Sequence, residues 1–408
     1  MTQLTTLANG LRVVTRAMPG LETAAVGLFA GAGSRDEPAE HNGLAHLFEH
    51  MLFKGAGSRS ARELNEAIED VGGELNACTE RDVTSFTASV LAEHVPLSIG
   101  LIADMVLRPH FSEAELEREK AVVLQELAEA RDTPGDLVFE ELWAAAFAGQ
   151  PIGRSVLGNE ASLARIRVDS LRGWQASRYR AGNLVLAAAG KVDHSAVLAL
   201  AEEHFAALPS GSTQGAAKAR FTAGARRVRS RSGQAHLTLA FEAPGVFAED
   251  MLAARLFADI VGGGASSRLF HELREERGLA YSVGASVTAY ADTGILSIYA
   301  ATSSGQALAA LELVEQLIRA AAADASEAEL NRARMQAKAA LLHASETSAG
   351  TMHILGGRTI IHGRPVPIAE TLAKLDAVTL ADVRAAGARI VAGPVARASI
   401  GVPAARAA

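Results

Sequence analysis

The chain has 408 residues, 49% of them hydrophobic and 21% charged, with a formal net charge of −7. Such a length exceeds one ordinary domain and such a composition is globular, so two to four domains are expected. The mild acidic balance leaves no basic footprint for nucleic acid. The single cysteine, Cys78, excludes an internal disulfide and a cysteine-cluster zinc site, so any metal must use histidine and carboxylate ligands. The first residues show no basic region followed by an apolar run, and no apolar stretch reaches the roughly 18 residues of a membrane span. A cytoplasmic protein without a membrane span is the expectation.

Leu4 to Thr15 predicts a hairpin turning at Asn9-Gly10, and Ala24 to Ala30 a buried strand. A polar loop, Gly31 to Asn42, leads into Gly43 to Gly55, where Leu44, Leu47, Phe48, Met51 and Leu52 form the apolar stripe of a helix. Ala61 to Val71 predicts a second helix, ended by Gly72-Gly73. Glu74 to Val90 alternates in the manner of strands. Helices are expected at Leu97 to Val106, then from an N-cap at Ser112 with Glu115 completing its capping box, and at Leu137 to Phe147. A loop at Arg154 to Gly158, a helix at Ser170 to Arg180, a strand at Asn183 to Gly190 and a helix at Ser195 to Ala207 close the first half. The small, polar stretch from Pro209 to Lys218 reads as a linker. Beyond it come a strand at His236 to Glu242, helices at Met251 to Val261 and Ser267 to Arg277, and strands at Ala280 to Ala289 and Gly294 to Ala301. Helices at Gly305 to Ala321, Glu327 to Ser345 and Leu380 to Ile390 precede a last strand, Ala396 to Val402. The fold class is α+β: two homologous halves, each a mixed or antiparallel sheet packed with helices. Their expected bounds are 1–210 and 223–408, with 211–222 as the linker.

The first helix carries the chemistry. It holds His46, Glu49 and His50 in an H-x-x-E-H pattern. Four residues apart on a helix, the two imidazoles lie one turn above the other and can grip one metal ion. Glu49 shares their face, where a carboxylate can take a proton from a metal-bound water. This is the H-E-x-x-H zinc-protease arrangement reversed, the inverzincin pattern. The helix opened at Ser112 offers Glu119, Glu126, Glu129 and Asp132 as further ligands. Glu119 and Glu126 lie two turns apart and face the same way, which selects them as a pair.

Displaced by 209 positions, Leu47-Phe48 falls on Leu256-Phe257, Gly55-Ala56 on Gly264-Ala265, Ser58-Arg59 on Ser267-Arg268 and Glu63-Leu64 on Glu272-Leu273. The matches suggest a duplication. His46, Glu49 and His50 fall on Arg255, Ala258 and Asp259, so only the first copy can hold a metal this way.

Five stretches carry a family resemblance: HLFEHMLFKG at His46 to Gly55, GGELNACTERDVTSF at Gly72 to Phe86, EREKAVVLQELAEARDTP at Glu117 to Pro134, IGRSVLGNE at Ile152 to Glu160 and GGGASSRLFHELREERGLAYSV at Gly262 to Val283. Together they resemble the pitrilysin-type inverzincin metallopeptidases, in the short branch that contains the mitochondrial processing peptidase β subunit. The resemblance covers essentially the whole chain and implies half of a clam-shell chamber. It ranks Glu126 as the third ligand of one Zn2+ per chain, leaving the fourth position for water, and makes Glu49 the general base. It places Glu119 in support of the site and Asn76, Ala77, Cys78 and Thr79 on the strand that pairs with a peptide substrate. Cys78 is expected there as a small buried residue. It also implies that Arg274 and Tyr281 reach the substrate, with Arg277 as the rival for Arg274, and that Gly262 to Gly264 form a flap near the site. The implied activity is endopeptidase cleavage of oligopeptides or unfolded, presequence-like segments. A homodimer enclosing two equivalent sites is expected, with a heterodimer with a paralogue as the alternative assembly. A noncatalytic peptide-binding or scaffold subunit of the same family is the alternative function.

Overall fold

The first sheet grows from the expected hairpin. β1 (Thr2–Thr6) pairs antiparallel with β2 (Arg12–Ala17), and Gly10 takes the left-handed φ of 103° in their turn. β3 (Thr23–Ala30) follows, then a two-residue ladder, β4 (Gly55–Ala56) with β5 (Arg59–Ser60), then β6 (Glu74–Thr79), β7 (Thr84–Leu91) and, after a long helical stretch, β8 (Leu184–Gly190). The strand order is β1-β2-β8-β3-β7-β6, which leaves β6 at an edge. Among the described residues of this sheet, β2 and β8 are the one parallel pair of neighbours. The structure, a computed structural model, describes residues 2–213, 215–230 and 233–402. Residue 214 of the expected linker and residues 1, 231, 232 and 403–408 of the expected halves lie outside the described residues.

Alternation along these strands gives the sheet two apolar faces. Val13, Val26 and Leu28 pack with the helices Leu44–Leu52, Val95–Leu107, Val168–Arg178 and His194–Phe205. Val14, Ala25, Phe29, Val185 and Ala187 point the other way, against Met352 and Leu355 of the helix Ser348–His362. That helix is not expected from the sequence. Its glycines at 350, 356 and 357 lower helix propensity. A Cβ at Gly356 would overlap the Phe29 ring, so glycine is what lets this helix lie flat on the sheet.

The second sheet is built from β9 (Ala225–Val228), β10 (Gln234–Ala243), β11 (Ser282–Ala289), β12 (Gly294–Ser303) and β13 (Val395–Ile400). Its order is β11-β12-β10-β13-β9, with only β13 and β9 parallel. The helices Met251–Gly262, Ala307–Asp324 and Leu380–Ala392 cover one face. On the other, Val138, Leu142 and Trp143 of the helix Pro134–Ala146 pack on Ala240, Ile295, Ala396 and Ala398.

Two compact units result, and both are discontinuous. One comprises Met1–Leu127, Ser155–Ala216 and Leu341–Ile368; the other comprises Ala128–Arg154, Ala217–Ala340 and Ala369–Ala408. The division therefore differs from the continuous halves 1–210 and 223–408. The physical reason is the second apolar face of each sheet, which is covered by a helix coded in the opposite half of the sequence. Other differences are local. β9 and the helix Ile368–Ala377 are additions, and the expected helix Ser267–Arg277 is a π-helix over Phe270–Glu276. The repeat is visible in packing: Leu47, Phe48, Leu256 and Phe257 are all fully buried. No helix among the described residues is long and apolar enough to cross a membrane.

Candidate metal centre

The helix Leu44–Leu52 buries Leu47, Phe48, Met51 and Leu52 and leaves His46, Glu49 and His50 half-buried. Its start is fixed by Glu37, which is 4% exposed. Glu37 Oε2 accepts from Asn42 Nδ2 at 2.9 Å and the Gly43 N–H at 2.8 Å, and Oε1 accepts the Ala45 N–H at 2.7 Å. A carboxylate at this position also suits the positive end of the helix dipole. No local pattern in the sequence marks Glu37, because it lies six to eight residues before the amides it caps.

The partner helix, Glu113–Asp132, begins as expected, with the Glu115 N–H donating to Ser112 Oγ at 3.2 Å. Phe111, just before it, has a φ of 44° and packs its ring 5.7 Å from that of Phe48. A non-glycine residue in that region is strained, and the strain is held by tertiary packing. Glu119 on this helix is 6% exposed.

The two helices bring His46, His50 and Glu126 together, with one potential ligand atom from each lying within 4.8 Å of the others. It is the one such group of three found among the described residues. His46 Nε2 is 3.9 Å from Glu126 Oε2, and His50 Nε2 is 3.7 Å from Glu126 Oε1. His50 Nδ1 lies 3.1 Å from Glu119 Oε2. A carboxylate oxygen accepts, so Nδ1 carries the proton and Nε2 keeps its lone pair for a ligand. Burial, and secondarily His50, pushes His46 down to about 4, so its imidazole is neutral at neutral pH, as ligation requires. Glu126 Oε2 is buried with no hydrogen-bond partner, a cost a bound cation would remove. On these grounds the donor set fits a divalent metal of the zinc type.

Glu49 Oε2 accepts the hydroxyl hydrogen of Thr79. Burial raises the Glu49 pKa, and the Thr79 hydrogen bond opposes that rise. Thr79 ends β6, the edge strand carrying Asn76 and Ala77. There the Asn76 Oδ1 accepts the Ala77 N–H at 2.8 Å. Cys78 is exposed, correcting the expectation of a buried thiol. The reason is the strand period, which turns Asn76 and Cys78 outward and Leu75, Ala77 and Thr79 inward.

Arg274 and Tyr281 belong to the other unit. Arg274 lies in the π-helix with its guanidinium 4.8 Å above the Phe270 ring. Tyr281 is 60% exposed. Arg277, the rival for Arg274, lies 3.6 Å from Glu272 Oε2. In the same unit, Arg255, Ala258 and Asp259 sit on the helix Met251–Gly262, without the histidine pair.

Residues 12–160 match the family described as Insulinase (Peptidase family M16), and residues 165–337 match the one described as Peptidase M16 inactive domain. An uncharacterised zinc protease of Mycobacterium bovis is 37% identical over 388 residues, covering 93% of this chain and 89% of that protein. One from Rickettsia bellii is 34% identical over 397 residues, covering 97% and 96%. One from Bacillus subtilis is 33% identical over 376 residues, covering 92% of each. The crystal structure of a peptidase M16 inactive domain from Pseudomonas fluorescens superposes with a TM-score of 0.90 at 25% identity, covering 99% of this chain and 98% of that one. That of a protease from Helicobacter pylori shares the fold, with a TM-score of 0.89 at 19% identity and 99% coverage of each. The chain belongs to peptidase family M16.

Proposed function

We propose that the chain is a zinc-dependent endopeptidase acting on oligopeptides or unfolded segments. One observation carries this reading: His46, His50 and Glu126 converge on one point while Glu49 sits on the same helix face. The names of the relatives, zinc proteases, agree with it. A Zn2+ held by His46, His50 and Glu126 would acidify a water and polarise the scissile carbonyl. Glu49 takes a proton from the attacking water and returns it to the leaving amine. Glu119 fixes the tautomer and orientation of His50. Asn76 and Ala77 receive the substrate backbone along the edge of β6. Arg274 anchors substrate and Tyr281 donates to the carbonyl oxygen, within a homodimer.

The test is cleavage of a quenched peptide of mixed sequence, comparing wild type, Glu49→Gln and chelator-treated protein, with bound metal counted by elemental analysis. The expected result is cleavage by wild type, and a Glu49→Gln protein that keeps about one metal per chain but retains only a small residual rate. Metal binding without cleavage favours the noncatalytic, peptide-binding alternative. Absence of metal overturns the ligand assignment.

A further inference from the structure

We propose that Thr79 is the positioning residue for Glu49, and that through it the strand seating the substrate also aims the base. This rests on the peptidase reading above. The Thr79 hydroxyl donates to Glu49 Oε2. That bond restrains the carboxylate at Oε2, and the Thr79 main chain also hydrogen-bonds Glu49 from the same strand end. Glutamate has several rotatable bonds, and a half-buried base without such a tether samples orientations that do not face the water.

Thr79 is well placed to hold still. Its β-branched side chain has few rotamers. Its backbone is paired with Thr84 in the β6–β7 ladder, and the Glu80 N–H donates to Val83 O at 2.8 Å to close the turn beyond it. Thr84 is itself buried, and its hydroxyl donates to Ala32 O at 2.9 Å. Glu49 is therefore tethered to a strand end anchored in the sheet, not to a free loop. β6 is also the edge strand, so any peptide pairing along Asn76 and Ala77 lies on the strand that carries Thr79. A substrate in register and a base in register share one backbone.

The variants are Thr79→Val, which keeps the shape and removes the hydroxyl, and Thr79→Ser, which keeps the hydroxyl. Each is also made with Glu49→Gln. For Thr79→Val we expect kcat to fall roughly 10- to 100-fold with KM and metal content unchanged, whereas Thr79→Ser stays within about threefold of wild type. In the Glu49→Gln background, Thr79→Val lowers the residual rate no further and leaves the dissociation constant for the peptide, measured by calorimetry, unchanged. Three results overturn the proposal: Thr79→Val keeps its kcat, Thr79→Ser falls as far as Thr79→Val, or the valine effect recurs undiminished without Glu49. Should the valine variant fail to fold, Thr79→Ala carries the same expectation. A metal-loaded wild type that cleaves nothing defeats the peptidase reading, and this proposal with it. A wild type that cleaves beside a fully active Thr79→Val defeats this proposal alone.

Discussion

Lys54 Nζ lies 2.8 Å from Glu119 Oε1, while the other oxygen of that carboxylate lies 3.1 Å from His50 Nδ1. A buried carboxylate is thus held at both oxygens, by a cation on one side and a candidate ligand on the other. Removing one partner of such a pair leaves a buried charge poorly compensated. Lys54→Met is expected to loosen Glu119 and weaken metal binding by about tenfold, with loss of activity in proportion. Competition against a chromogenic chelator measures this. An unchanged affinity would reduce Lys54 to a surface charge.

Glu37 makes a second prediction, about the helix itself. It satisfies two backbone donors at the helix start and the Asn42 amide from a buried position. Glu37→Ala leaves those donors unpaired and is expected to cost about 2–4 kcal/mol of stability. Urea denaturation measures it, and a loss below about 0.5 kcal/mol would show that water replaces the cap.

The pair Arg268–Glu329 predicts a pH dependence. Arg268 Nε lies 2.6 Å from Glu329 Oε1, and its hydrogen bonds hold Glu329 down to about 2, against an ordinary value of 4.5. A carboxylate whose folded pKa is depressed contributes stability that is complete above its unfolded pKa. That contribution is lost as pH falls from 4.5 through about 2. With discounting for partial exposure, Glu329→Gln is expected to cost about 1–2 kcal/mol at pH 7, unchanged down to about pH 5 and shrinking only as pH falls below the unfolded value of 4.5. Unfolding free energies of both proteins at several pH values test this; a penalty independent of pH would refute it.

The proposed homodimer predicts complementation. If Glu49 and Arg274 serve a shared site from different chains, Glu49→Gln and Arg274→Ala each retain little activity alone. Mixed in equal amounts and allowed to exchange, they regain up to roughly a quarter of wild-type activity, since half the dimers are mixed and each mixed dimer has one intact site. Failure to regain activity despite proven exchange would place both residues in the same chain.

The motif residues were legible because their signal is local. His46, Glu49 and His50 lie within one helical turn and a half, and helical spacing fixes their common face. Glu119 and Glu126 were legible as a pair for the same reason, though only the family resemblance ranked Glu126 above its neighbours. Glu37, Lys54 and Thr79 were not. Lys54 meets Glu119 across 65 positions, and Thr79 meets Glu49 across 30. No periodicity in either segment announces such a partner. A lone cysteine is usually buried, which is why burial is the expectation for Cys78, but strand alternation at the sheet edge turns it outward.

By itself the sequence determined the α+β class, most of the elements, the duplication and the helix that carries the two histidines, because all of these follow from short-range pattern and spacing. Only the tertiary structure decided which helix covers which sheet. The glycine-rich segment Ser348–His362 reads poorly as a helix, yet Gly356 permits it to close over Phe29. The acidic helix starts where its Ser112 cap predicts, but the strained φ of Phe111 just before it is set by packing against Phe48. Contacts between residues tens to hundreds of positions apart are set by which apolar faces must leave water together, and that choice is made by the whole chain.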